Sequence, residues 1–308
     1  MIFCEQRCRD VMNARAGRIA LENPVIIGRH LTSPAPMGPG KPSLAGFAMH
    51  LLYPSDPFDP KRPDEQYLDE YQAILAAGLS ASLFSFEDFE SGNFRARPAL
   101  EGGTPVLYRG WMLTPEGYRE LVEHLQRLGA VAFTSVADYR DCHHLPQWYP
   151  RLARFTCETR VLAADANFTQ ALADLHWPGY FIKDYVKSLN TGSGSLVHSP
   201  ADIAPLIERM RQYRGQIEGG VCVRRREDYL DDTERRYFVL NGQAYGASGE
   251  VPALVHECAA LIDSRFFSVD VVLRADGVLR LVEVGDGQVS DRKEWPARRF
   301  AAMLAGAL

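Results

Sequence analysis

The sequence predicts a mixed protein in two parts: an α/β unit with a parallel sheet, then an α+β half of hairpins and packed helices. Three observations carry this expectation. From Met49 to Thr134 short apolar strands alternate with amphipathic helices, the pattern of parallel β–α units. Beyond residue 157, Asn241-Gly242 and Asp276-Gly277 each stand between apolar runs. Such dipeptides supply the positive φ angles that a tight hairpin turn requires. Residues 1–48 differ from both halves and end in the Pro-, Gly- and Ser-rich stretch LTSPAPMGPGKPSLAGFA.

The elements follow in order. His50–Tyr53 reads as the first strand. A helix carries Tyr67, Leu68, Tyr71, Ile74 and Leu75 on one face, with Gly78 past its end. Ser82–Phe86 and Val106–Arg109 read as strands. The next helix has Thr114 as cap, Pro115 in its first turn and a stripe of Tyr118, Leu121, Val122, Leu125 and Leu128; Gly129 ends it. Ala130–Thr134 is a fourth strand. A short helix at Phe168–Leu175 leads to the strand YFIKDYVKS and the loop LNTGSGS. Ser199 and Pro200 open a helix with the stripe Ile203, Leu206, Ile207, Met210 and Tyr213. Strands at Gly220–Arg224, Arg236–Leu240 and Gln243–Ala247, and a helix near Ala253–Ile262, precede the last hairpin. Three domains are expected: a poorly ordered extension over 1–48, an α/β domain over 49–156 and an α+β domain over 157–308. Met49 reads as the true start of the chain, with a small ordered extension as the alternative.

Composition sets limits. The 308 residues are 46% hydrophobic and 24% charged, with a net charge of −5, so electrostatics make no case for nucleic-acid binding. No apolar run reaches the ~20 residues of a membrane span. The six cysteines lack metal or disulfide spacing, and a reduced, cytoplasmic protein is expected. Cys142-His143-His144 has metal-ligand residue types, but three adjacent side chains rarely face one ion, so a structural role is expected.

The stretch FFSVDVVLRADGVLRLVEVGDGQ poses the chemical question. Each of its apolar strands carries an acid, Asp270 and Glu283. A two-residue turn at Asp276-Gly277 would set them directly opposite, with Cβ atoms roughly 4.5–5.5 Å apart, where like charges destabilise. A hard cation such as Mg²⁺ resolves the conflict. So does a longer turn that slips the register and sends one acid to solvent. On the metal reading, replacing either acid should leave metal-free stability unchanged or higher. In FIKDYVKSLNTGSGSLV, Lys183 and Lys187 precede a loop whose small residues let backbone amides approach phosphate; a merely flexible turn is the plain alternative. ERRYFVLNGQAYG sets Glu234 and Arg236 before an apolar strand.

This order of parts, over roughly Cys157–Lys293, resembles the ATP-grasp superfamily, and more narrowly its stand-alone bacterial and phage members of unassigned substrate. The resemblance implies an N-terminal α/β pre-ATP-grasp domain followed by a two-subdomain ATP-grasp fold, with ATP and Mg²⁺ as cofactors. It implies that Lys183 and Lys187 hold phosphate, and that a flap including Ser193, Gly194 and Ser195 closes over it. Cys222 and Val223 would offer backbone groups to adenine, and Glu227 would take the ribose. Arg236 would lie beside the phosphates, and Asp270, Glu283 and Asp286 would bind metal. Asp286 is included because the family's usual Glu-x-Asn reads Glu283-Val284-Gly285 here. Arg109, in LYRGWM, would bind the substrate's carboxylate or phosphate at the carboxyl end of a strand, with a surface ion pair as the plain alternative. The implied activity is an ATP-dependent carboxylate–amine (or thiol) ligase acting through an acylphosphate on a small molecule or peptide. A kinase-like phosphotransferase and a non-catalytic nucleotide-binding protein are the alternatives.

Overall fold

The alternation in the first half builds a parallel sheet. In the computed structural model, strands β1 (His50–Pro54), β2 (Ser80–Phe84), β3 (Pro105–Tyr108) and β4 (Val131–Ala132) lie in the order β2-β1-β3-β4, every neighbour parallel. Residues 49–189 and 194–306 are described, and all belong to one compact unit, Ala48–Leu308. The extension expected over 1–48 lies outside the described residues.

Helices α1 (Leu68–Ala76), α2 (Phe86–Glu90) and α3 (Pro115–Arg127) accompany this sheet. In α3 the Thr114 hydroxyl accepts from the Gly117 amide at 3.0 Å, which satisfies one of the orphan donors of the first turn. Tyr118, Leu121 and Leu125 are buried as their spacing requires, whereas Leu128, beyond the last turn, is exposed. In α1 the stripe is shifted: Leu75 is exposed and Glu70 is buried. Two further helices, α4 (Val136–His143) and α5 (Leu145–Leu152), follow where the sequence pattern is unreadable, Pro150 lying inside α5. Trp148 packs with Cys222, Val239, Val255, Phe267 and Val269 in one core, so these helices join the two halves.

The second half holds two antiparallel sheets. Strands β5 (Thr159–Leu162), β6 (Tyr180–Asp184), β7 (Leu196–Val197) and β8 (Val221–Arg225) form one, in the order β5-β8-β6-β7. Helices α6 (Phe168–Ala171) and α7 (Ile203–Arg214) cover it through Phe168, Ile203, Leu206, Ile207 and Met210. Strands β9 (Arg235–Leu240), β10 (Gln243–Gly246), β11 (Phe266–Leu273) and β12 (Leu279–Asp286) form the other, in the order β10-β9-β11-β12. Leu240 pairs with Gln243 around Asn241 (φ 50°) and Gly242 (φ 81°), the two-residue turn that the sequence predicts. Helix α8 (Ala253–Leu261) packs on one face of this sheet, and α9 (Ala297–Leu304) closes the chain. No described helix is long and apolar enough to cross a membrane. The four described cysteines outside the extension, Cys142, Cys157, Cys222 and Cys258, are free and buried.

Candidate functional site

The hairpin β11–β12 does bring its two acids together, by an indirect route. Leu273 pairs with Leu279, so the turn is longer than two residues and the ladder begins one step out of the expected register. A bulge then intervenes: Asp270 pairs with Glu283 and Val271 with Leu281, which leaves Val282 as the extra residue. The neighbouring sheet holds this bulge. Arg224, on β8, donates from Nη1 to the Val282 carbonyl at 3.0 Å and from Nη2 to the Thr156 hydroxyl at 2.7 Å. Thr156 in turn donates to the Leu281 carbonyl at 2.7 Å.

Cations from three separate segments meet the two carboxylates. Arg236, on β9 and paired with Asp270 in the ladder, grips it bidentately, Nε to Oδ1 at 2.8 Å and Nη2 to Oδ2 at 2.6 Å. Lys293 donates to Asp270 Oδ2 at 2.9 Å. Lys183, from β6 of the other sheet, donates to Glu283 Oε1 at 2.5 Å. Burial alone would push the Asp270 carboxyl up, but hydrogen bonds and charge from Arg236, with Lys293, hold it below its ordinary value. Arg236 is itself held tightly: Nη1 donates to the carbonyl and carboxylate of Asp291, its amide donates to Glu294 Oε1, and Trp295 Nε1 donates to its carbonyl.

Lys187 ends a tight turn that Asp184 caps, accepting from the amides of Val186 and Lys187 at 2.8 and 2.6 Å, while Arg214 pairs with the same carboxylate. Lys183 and Lys187 lie in one electrostatic neighbourhood, since both contribute to lowering the buried His143, after burial itself and His144. Gly194 has φ 68°. The Ser195 hydroxyl accepts from the Leu189 amide at 2.7 Å and donates to the Leu189 carbonyl at 3.2 Å, so it ties the base of the loop instead of facing a phosphate. Ser193 lies outside the described residues.

Several expected site residues are placed otherwise. Cys222 and Val223 lie on β8, an inner strand paired on both sides, and both are fully buried. Their backbone groups belong to the ladder and cannot meet adenine. The ladder contacts continue past them, from the Arg225 amide to Glu158 and from the Arg226 amide to Gly179. Glu227 is taken by Arg280 (Nε–Oε2 2.9 Å, Nη2–Oε1 3.0 Å) and by Arg274 at 3.2 Å, so it anchors the segment after β8 to the hairpin.

Asp286 pairs with Phe267, three residues from Asp270, so alternation turns it to the opposite sheet face. There it is 0% exposed, its Oδ1 accepts from the Gln288 amide at 2.9 Å, and its Oδ2 has no partner. Burial raises its carboxyl to about 7. It cannot join Asp270 and Glu283 on a metal. Arg109 is 2% exposed and fully engaged. It forms a fork with Glu70 (Nε–Oε1 2.7 Å, Nη2–Oε2 2.8 Å), and Nη1 donates to the carbonyls of Gly287, Gln288 and Ser290. It ties α1 to the segment after β12 and has no donor left for a substrate. Gly110 admits the Tyr108 ring, not a ligand: a Cβ there would lie 2.3 Å from the Tyr108 hydroxyl.

The histidines next to Cys142 are structural, as expected. His143 is buried against Tyr139, ring centroids 5.1 Å apart, and His144 Nε2 lies 2.9 Å from Glu218 Oε1. Among the described residues no group of three or more His, Cys, Asp or Glu side chains is placed to hold a metal ion. Two opposed carboxylates suffice for Mg²⁺, however, because that ion takes one or two carboxylates and completes its octahedron with phosphate oxygens and water. Glu283 uses only Oε1 in the described contacts and its side chain is 39% exposed, so an oxygen remains for such an ion.

A strand lysine and a carboxylate-bearing hairpin meeting across two antiparallel sheets, after a parallel α/β sheet, define an ATP-grasp domain protein. More narrowly, residues 170–304 match a family described as an ATP-grasp domain, family 3 of its clade. Solved structures agree on the fold. D-cycloserine synthetase DcsG superposes with a TM-score of 0.57 at 15% identity, covering 84% of this chain and 98% of that one. The D-alanine-D-alanine ligase from Coxiella burnetii gives 0.56 at 12%, covering 84% and 94%. The ATP-grasp ligase PsnB, complexed with minimal precursor, Mg and ADP, gives 0.54 at 13%, covering 84% and 98%. No curated protein is significantly similar in sequence.

Proposed function

We propose that this chain is an ATP-dependent, Mg²⁺-requiring ligase that joins a carboxylate to an amine or thiol through an acylphosphate. The observation that carries the reading is the pairing of Asp270 with Glu283 beside Arg236, with Lys183 reaching Glu283 from the facing sheet. Phosphoryl transfer demands chiefly positioning and charge neutralisation at the transferred group, and needs no enzyme nucleophile. Mg²⁺ on Asp270 and Glu283 would supply Lewis-acid neutralisation of the phosphates. Lys183 would bind a phosphate oxygen in exchange for its contact with Glu283. Arg236, fixed by Asp291, Glu294 and Trp295, would hold Asp270 in place while its guanidinium adds positive potential. The solved ATP-grasp relatives include ligases of small molecules and of a peptide precursor, and the acceptor class is drawn from that range.

The test is an ADP-release screen over amino acids, peptides and small carboxylates, with mass spectrometry of each hit. An amide or thioester product with ADP is expected. A phosphate ester would identify a phosphotransferase instead, and no turnover with any acceptor pair, despite bound ATP, would identify a nucleotide-binding protein.

A further inference from the structure

Asp270 is held by two cations of different kinds. Arg236 is buried, with its backbone amide, its carbonyl and its guanidinium all engaged. Lys293 is not so fixed. Its side chain is 30% exposed, against 10% for Arg236, and its ammonium is shared between Asp270 Oδ2 and Glu234. Glu234 is the outer partner, with a side chain 45% exposed, whereas that of Asp270 is 4% exposed. The ammonium therefore has a second carboxylate already in contact, on the solvent side, and a flexible stem on which to shift.

The backbone is arranged to deliver this side chain. Lys293 has φ 46°. The other described non-glycine residues with positive φ are Asp232 and Asn241, types whose short polar side chains favour that region, whereas lysine has no such local compensation. The turn is nonetheless held in place by its neighbours: Arg292 pairs with Asp69 and Glu70, Glu294 accepts from the Arg236 amide, and Trp295 donates to the Arg236 carbonyl.

We infer that Lys293 is an internal counter-cation that occupies Asp270 in the metal-free protein and withdraws to Glu234 when a divalent ion binds. This rests on the reading of Asp270 and Glu283 as metal ligands. The chemistry is a competition. A carboxylate oxygen that already accepts from Arg236 and an ammonium is a poorer ligand for a divalent ion, because both like-charge repulsion and a lost hydrogen bond oppose binding. Glu234 draws the ammonium outward and so assists the exchange. Lys293 is thus a positioning residue: it prevents the two opposed carboxylates from repelling each other when no metal is present, and it sets the metal affinity.

Two variants should then act in opposite directions. Lys293→Met removes the competitor and tightens Mn²⁺ binding, by roughly tenfold if the competition is worth one decade. Glu234→Gln removes the outer refuge, leaves the ammonium on Asp270 and weakens Mn²⁺ binding. The double variant should match Lys293→Met, since Glu234 acts only through the lysine. Lys293→Asn, a neutral residue that tolerates the positive φ, should behave as Lys293→Met and guards against a folding defect in the latter; Lys293→Arg should restore wild-type affinity. The probe is Mn²⁺ alone, free ion read by electron paramagnetic resonance on the full chain, then repeated with saturating ADP. Thermal unfolding supplies the second readout: Lys293→Met should melt lower than wild type without metal, and the gap should close with Mn²⁺. Equal Mn²⁺ affinity in wild type, Lys293→Met and Lys293→Asn would overturn the inference while leaving the metal site standing. So would a change of the same sign in Glu234→Gln and Lys293→Met. A wild-type chain that binds no Mn²⁺ with or without ADP would overturn the metal site itself, and the inference with it.

Discussion

Asp270 and Glu283 face each other across the β11–β12 ladder because two one-residue offsets cancel, a longer turn at one end and a bulge at Val282 further along. The bulge makes the site depend on Arg224, which reaches the Val282 carbonyl from the neighbouring sheet.

Arg224→Ala should therefore damage a site that it does not touch. The Val282 carbonyl and the Thr156 hydroxyl would each lose a charged donor, a loss of about 1.5–3 kcal/mol for a hydrogen bond to a charged group. Freed from Arg224, the ladder should relax toward the register of an unbulged hairpin, which turns Glu283 away from Asp270. Denaturant unfolding should report the stability loss, and Mg²⁺-dependent ATP binding should fall by more than in a surface variant of equal stability.

Asp270→Asn should destabilise the metal-free protein. This reverses the expectation from like-charge repulsion, because the structure shows the acid already compensated by Arg236 and Lys293. Breaking a buried pair from one side typically costs about 3–5 kcal/mol. The carboxyl's folded-state pKa is depressed, so its contribution is present above the unfolded value near ~3.9 and fades as pH falls through the folded one. Wild type and Asp270→Asn should accordingly converge in stability at strongly acidic pH and differ most at neutral pH, as read by unfolding midpoints across that range.

Arg109→Ala should act on folding before it acts on chemistry. The Glu70 carboxylate would be left buried without its fork partner, and three carbonyls after β12 would lose their donor. A loss of about 3–5 kcal/mol is expected. Arg109→Met with Glu70→Leu should recover much of it, because removing both charges leaves no orphan. Chemical denaturation of the three proteins checks this; a stable Arg109→Ala chain with an altered substrate KM would restore the substrate-binding role.

Asp286→Asn should stabilise the chain at pH 8 and do less at pH 5. Burial raises the Asp286 carboxyl to about 7, so the folded state prefers it protonated. That preference is fully expressed below the unfolded value near ~3.9 and is lost as pH rises through about 7. Asparagine keeps an oxygen for the Gln288 amide and carries no charge. The buried His143 acts on the acid side: lowered to about 3, it favours folding fully above ~6.5 and progressively less below. Melting temperatures at the two pH values separate the effects.

What the sequence made legible was local. Thr114, Pro115 and the Tyr118–Leu121–Leu125 spacing specify α3 without help from elsewhere, and Asn241-Gly242 specifies its hairpin. Lys183, Arg236, Asp270 and Glu283 stand out because each is a charge inside an apolar strand. The remaining features depend on tertiary partners. Helices α4 and α5 have no clean stripe, since Trp148 and Leu152 pack against strands of the second half. Asp286 looked like a ligand by proximity in sequence, yet strand alternation sends it to the other face. Arg109 looked like an anchor because its partner Glu70 sits on a helix whose buried side the pattern assigned to Leu75. Lys293 carried no periodic signal; only its closeness to Asp270 in the fold reveals it.

The central claim is that Asp270 and Glu283 hold a divalent ion together with the phosphates of ATP. Calorimetric titration with a non-hydrolysable ATP analogue, with and without Mg²⁺, on wild type and Glu283→Gln tests it most directly. Glu283→Gln is the apt variant because this residue is part-exposed and can be replaced with less disturbance than Asp270. Wild type should bind the analogue at least about tenfold more tightly with Mg²⁺, a difference of ~1.4 kcal/mol, and Glu283→Gln should lose that difference while staying folded. Binding of the analogue by wild type with equal affinity in the presence and absence of Mg²⁺, or an undiminished Mg²⁺ effect in Glu283→Gln, would contradict the account.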